Sequence, residues 1–378
     1  MKRIFLIAIL ASVIFGQGTW LWSGRVHSEL KWHTIKTENF RVHYHNGIEE
    51  IAIRGASMAE QVLPTLMKQM GLEEVPMIDI IFTTEDEIMN GYAMWTNQTF
   101  IWVDQNDAAI WLENGKWLFQ VLSHELQHIM FFNVTKSWVP EPWGSLFSGT
   151  PGWFVEGLAE YETEKWRPYR ADLSHKYHIF KNTTDKMDAH HDGYSKLLYF
   201  SERFGDSSIV NLVQWRNKFG MYNFEKAFKK ATNGVTVKRF EEDWRQQMNT
   251  YFYGYRSQKE AMDEIGNVTS IPASKMQSFA ISPDSLTIAM VGKMDSKQWD
   301  SSLIIAEIDT SKKSQKEAEE DNKKPKRKKY GKKREVDFGR FGEMLSFAPC
   351  GNFLTYAKYH FGENGSMIWD IKMLNLET

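Results

Sequence analysis

The residues best suited to chemistry fall in one short run, Ser123-His124-Glu125-Leu126-Gln127-His128, which contains the pattern H-E-x-x-H. In a helix, residues four apart share a face, so His124 and His128 point both imidazoles at one place. That spacing suits a single metal ion of the zinc kind. Glu125, beside them, can hold and deprotonate a metal-bound water. Trp117, Leu118, Val121 and Leu122 precede the run, and Ile129, Met130 and Phe131 follow it. Flanks this apolar fit poorly with two histidines on a solvated surface, because a polar motif in an apolar helix must be satisfied by something.

Two histidines leave a zinc site one protein ligand short. Downstream, Gly152 to Glu162 reads GWFVEGLAEYE. Glu156 stands among Trp153, Phe154, Val155, Leu158 and Ala159, and a carboxylate in such a frame needs a cation or a hydrogen-bond partner. Zinc supplies the cation. Glu160 lies one turn later on the same face. There it can accept the remaining N–H of a ligand histidine, or it is simply a solvated residue on an amphipathic helix.

The elements that must position these groups follow from the apolar periodicity. His33 to Ile35 and Phe40 to Tyr44 alternate as strands do. Ile51 to Met70 has helical spacing and ends at Gly71. Met77 to Phe82 and Phe100 to Val103 read as buried strands. Helices are expected from about Trp117 to Phe132 and from Trp153 to about Trp166. Further helical patterns cover Tyr194 to Phe204, Ser207 to Trp215, Phe224 to Ala231 and Val237 to Met248. A small sheet followed by helices is an α+β arrangement.

The pattern changes near Tyr255. Ser278 to Met290 reads SFAISPDSLTIAM, and Ser346 to Lys358 reads SFAPCGNFLTYAK. Each is a short strand, a Pro-containing turn and a second strand. Strand-like runs follow at Ser302 to Ile308 and Met367 to Leu376. This is a weak internal repeat of the β-propeller blade type. The polar run Lys312 to Glu335 between the copies is expected to be a solvated loop. Two blades do not close a propeller of about 4 to 8 blades, so the repeats are expected to belong to a longer protein or a truncated gene.

H-E-x-x-H followed by W-F-x-E-G-L-A-E-Y resembles the peptidase-MA-like gluzincins, relatives of the aminopeptidase N and leukotriene A4 hydrolase family. The resemblance covers about His33 to Tyr255. It implies a thermolysin-like zincin catalytic domain with Glu156 as third zinc ligand. The separation of His128 from Glu156 is longer than in aminopeptidase N, and the extra length is assigned to a loop within Trp138 to Thr150. Gly193 to Gly205 (GYSKLLYFSERFG) is similar to the family's Y-x-K-G helix start, with Leu197 in place of its Gly. The resemblance makes Tyr194 the hydrogen-bond donor to the developing oxyanion; the plain alternative is a packing tyrosine at a helix start. His190 and His191, close by, are alternative donors or exposed loop residues. The family's Gly-Ala-Met-Glu-Asn strand has its counterpart at Gly91 to Asn97 (GYAMWTN), without the acidic residue that captures a free amine. That favours an endopeptidase. Phe100 to Val103 is then the expected edge strand for substrate. The C-terminal repeats resemble TolB-like or WD40-like blades, through Ser282 to Asp284 and Ala348 to Gly351.

Composition sets outer bounds. The chain has 378 residues, 42% hydrophobic and 25% charged, which is ample for a core and two domains. A net charge of -2 gives no reason to expect a nucleic-acid partner. Lys2 and Arg3, the apolar Ile4 to Phe15, and Gly16 and Gly18 form an export-signal pattern. Its apolar run is short for a bilayer span, and no later segment is apolar enough. Residues 1–18 are therefore expected to be a signal, 19–255 the peptidase domain, 256–270 a linker and 271–378 the partial propeller with a charged loop at 311–335. The single Cys350 has no partner for an intramolecular disulfide, which is compatible with a bacterial periplasm or cell surface.

The expected activity is hydrolysis of a peptide or protein substrate by a zinc-activated water, with Glu125 as base. The propeller is free to gate access or to bind a protein partner. One alternative is an inactive peptidase-like scaffold acting through its propeller; an intact Glu125 and ligand set argue against it. Another is a different metal-dependent hydrolase, cleaving an ester or an epoxide.

Overall fold

A computed structural model describes residues 30–84, 90–103, 112–136, 143–164, 168–219, 223–259, 273, 275–294, 300–308, 330–362 and 367–377. The signal and most of the expected linker lie outside these residues. The chain divides into two compact units, Met1–Ser257 and Gln258–Thr378, and the fold is mixed α+β. No helix among the described residues is long and apolar enough to cross a membrane.

The first unit holds a five-stranded sheet. Its strands are β1 (Trp32–Lys36), β2 (Phe40–His45), β3 (Ile78–Thr83), β4 (Asn90–Met94) and β5 (Gln98–Trp102), in the order β1-β2-β3-β5-β4. Alternation sets the face of β2: Phe40, Val42 and Tyr44 are buried while Arg41 is exposed. Strands β2, β3 and β5 run parallel; β1 and β4 pair antiparallel at the two ends. Parallel neighbours need a crossover, and helix α1 (Glu49–Met70) provides it between β2 and β3. Its Ala52, Ala56, Ala59, Leu63, Leu66 and Met70 are buried at helical spacing. The helix stops at Gly71, whose φ of 67° is left-handed.

This order corrects one expectation. Residues 98–102 form an interior strand, flanked by β3 and β4. The edge is β4, and its register on β5 runs from Asn90↔Trp102 to Met94↔Gln98.

Helices follow: α2 (Leu112–Val134), α3 (Trp143–Ser148), α4 (Gly152–Glu164), α5 (Pro168–Lys181), α6 (Ala189–Phe204), α7 (Asp206–Phe219), α8 (Phe224–Ala231) and α9 (Val237–Ser257). The stretch expected as a loop before Thr150 contains α3, and α5 was not foreseen. Helix α9 runs into the expected linker. A single core joins the sheet, α1, α2, α4 and α6 through residues such as Phe82, Leu122, Leu126, Phe154 and Phe200.

The second unit is a six-stranded antiparallel sheet of β6 (Lys275–Ile281), β7 (Thr287–Lys293), β8 (Ser301–Ile308), β9 (Tyr330–Phe347), β10 (Phe353–Phe361) and β11 (Met367–Asn375), ordered β11-β10-β9-β8-β7-β6. The two sequence repeats turn alike. Ser285 N donates to Ser282 O at 2.8 Å, and Gly351 N donates to Ala348 O at 2.8 Å. Strand β9 pairs with β8 through its first part and with β10 through its second, joining the two halves. The end of the stretch expected as a charged loop is strand instead. Lys333, Arg334 and Glu335 belong to β9, paired with Ala306, Ile305 and Ile304.

Candidate metal centre

Helix α2 is anchored by Leu118, Leu122, Leu126, Ile129 and Met130, all fully buried. Its apolar residues occupy most of its surface, so the polar motif faces the remaining sector, towards α4 and β4. Asn133 fixes the far end: its Nδ2 donates to Ile129 O at 2.9 Å and to Asn97 Oδ1 at 2.7 Å. Asn97 is the left-handed residue of the β4–β5 turn, with φ 59°. The motif helix and the edge hairpin are thereby tied together.

His124 Nε2 and His128 Nε2 lie 3.1 Å apart. Glu156 Oε2, from α4, is 3.5 Å from His124 Nε2 and 3.2 Å from His128 Nε2. Ligands about 2.0–2.1 Å from a tetrahedral ion are separated by about 3.3 Å, so all three spacings suit a shared small cation. Glu160 Oε1 is 3.9 Å from His124 Nδ1, the nitrogen turned away from the cluster.

A third imidazole joins them. His190 Nε2 lies 3.1 Å from the same Glu156 oxygen, and its Nδ1 is 2.8 Å from Asp188 Oδ1. Asp188 is the N-cap of α6, and the same oxygen accepts the backbone N–H of His190 at 3.0 Å. His124, Glu156 and His190 each offer a ligand atom, all within 4.8 Å of one another. The His190 ring stacks on His124, with centroids 5.5 Å apart.

Helices α4 and α6 meet backbone to backbone, which is what carries His190 to Glu156. A Cβ on Gly157 would lie 2.3 Å from the carbonyl carbon of Gly193. Lys196, one turn on, is buried between Trp153 and Trp244 and pairs with Asp192 at 2.8 Å and Glu241 at 2.9 Å.

The electrostatics match the donor set. Burial works to raise the Glu156 carboxyl, but hydrogen bonds from His124, His128 and His190 hold it far below the usual carboxylate range. Glu156, chiefly, pushes the His190 imidazolium up to about 9. Burial raises the Glu125 carboxyl, against the pull of His128 and His124. An anionic carboxylate with three imidazoles around it is a ligand set of the kind that holds zinc.

Strand β4 passes directly over Glu125. A Cβ on Gly91 would lie 2.6 Å from both Glu125 Cγ and Glu125 Oε1. On the same strand, burial and the Glu125 charge push the Tyr92 hydroxyl up.

His124, Glu125, His128, Glu156 and Glu160 thus come together. Tyr194 lies in the second turn of α6, its ring buried in the core 6.3 Å from that of Tyr161. Sequence reasoning did not place His190 in the cluster. The available signal was Asp188, an N-cap residue immediately ahead of a helical run, which puts His190 in the first turn.

The chain matches no protein-family model and no curated protein. Among solved structures it is similar to the crystal structure of an aminopeptidase N family protein from Idiomarina loihiensis. Identity is 8% and the TM-score 0.28, over 91% of this chain and 69% of that one.

Proposed function

We propose that the first unit is a zincin-type metallopeptidase and that the second belongs to a β-propeller. The observation that supports the first reading is the meeting of His124, His128 and Glu156 beside a buried Glu125, beneath an edge strand. His124, His128 and Glu156 hold the zinc ion, and Glu160 orients His124 through its Nδ1. When bound, zinc supplies an acidified water and a Lewis acid for the scissile carbonyl.

The chain's own groups do the rest. The outer edge of β4 receives the substrate backbone as an added strand. Gly91 lets that strand approach Glu125. Glu125 takes the proton of the attacking water and passes it to the leaving amine; its raised affinity for a proton suits a group that must carry one. Tyr194, one turn behind His190 on the same face of α6, donates to the oxyanion. No residue of β4 is acidic, so the strand has no anchor for a free amino terminus, and the preferred substrate is an internal peptide bond. The basic start and apolar run of residues 1–18 fit export to the periplasm or cell exterior.

The test is Glu125→Gln assayed on a peptide library, with zinc content measured in parallel. Zinc retained and hydrolysis abolished is the expected pair. Hydrolysis at the wild-type rate would remove Glu125 from the reaction.

A further inference from the structure

We infer that His190 is a fourth protein ligand of the metal, held by Asp188, and that it closes the centre in the resting protein. The inference rests on the proposed metal site and adds a residue to it.

Three observations carry it. First, His190 Nε2 stands as close to Glu156 Oε2 as the two motif histidines do, at 3.1 Å against 3.5 and 3.2 Å. Three imidazole nitrogens from two different helices therefore share one carboxylate oxygen. Second, Asp188 Oδ1 lies 2.8 Å from His190 Nδ1. An ionised carboxylate only accepts, so a ring proton sits on Nδ1. Nε2 faces Glu156 Oε2 at 3.1 Å, and a metal held between them would take the place of the Nε2 proton. A histidine braced by a carboxylate at its outer nitrogen is how a metal ligand is oriented. Third, the His190 side chain is 44% exposed, against 12% for His124 and 10% for His128. Of the three imidazoles it is the one most open to solvent.

Zinc sites with four protein ligands are structural, whereas catalytic ones keep a corner open. Displacement of His190 by an arriving substrate is then the step that converts one into the other. Asp188 is the positioning residue that sets how readily the ring leaves.

The experiment measures zinc affinity of the full chain by competition with a chelating dye, and the visible spectrum of the Co2+-substituted protein. The variants are His190→Ala, His190→Gln, Asp188→Asn and, as a neighbouring control, His191→Ala, with circular dichroism checking the fold. His190→Ala is expected to weaken zinc binding about tenfold or more and to change the Co2+ spectrum, as water replaces a nitrogen. Asp188→Asn should weaken binding less, and His191→Ala not at all. Peptide turnover by His190→Ala should rise. Unchanged affinity and an unchanged Co2+ spectrum in folded His190→Ala would overturn the inference; if turnover also fell, His190 would be a donor to substrate. Failure of the underlying site is a separate result: wild-type protein that binds no zinc, or His124→Ala that binds it as well as wild type.

Discussion

Gly193 of α6 and Gly157 of α4 touch through their backbones, and this contact sets the distance between His190 and Glu156. A Cβ on Gly193 would lie 2.0 Å from Trp153 O and 2.5 Å from Gly157 Cα. Backbone at both sides leaves no flexible side chain to give way.

Gly157→Ala must therefore push α6 off α4. Overpacking of this kind costs about 1–3 kcal/mol. A lower melting temperature and weaker zinc binding are expected together. A variant with wild-type zinc affinity would show that the crossing does not govern the site.

Gly91→Ala acts on the other side of the centre. Its Cβ would fall 2.6 Å from Glu125 Oε1, so either β4 or the carboxylate must move. Neither is a proposed ligand to the metal. Turnover should fall with zinc content unchanged, read by steady-state kinetics and metal analysis on the same preparation. Full activity would mean that the strand yields without disturbing Glu125.

Tyr194→Phe separates the two candidate groups of α6. Loss of one oxyanion donor lowers turnover by about 10²–10³-fold, and zinc affinity should not change. His190→Ala is expected to do the opposite on both counts. Wild-type turnover in Tyr194→Phe would reduce Tyr194 to the packing role that its contact with Tyr161 already gives it.

The motif histidines were legible because helical spacing alone puts His124 and His128 on one face. Glu156 was legible because an acid among Trp153, Phe154 and Leu158 has few other uses. His190 was not, since the apolar pattern of α6 becomes clear only at Tyr194, while the helix begins at the cap of Asp188. The edge strand was misplaced for a different reason. Phe100 to Val103 reads as a strand and Gly91 to Asn97 matches one only through the resemblance, and which of them lies outermost depends on pairing with β3, a long-range contact that alternation does not encode. Strand β9 shows the same limit. Lys333 and Arg334 look like loop residues, but β8 supplies the hydrogen-bond partners that make them strand.

The most direct test of the account is zinc per chain in purified wild-type protein and in Glu156→Ala, measured by metal analysis after dialysis against a weak chelator. One zinc per wild-type chain and almost none in the variant is expected, because Glu156 is the carboxylate on which all three imidazoles converge. Equal zinc in both proteins, or none in either, would contradict the proposed centre.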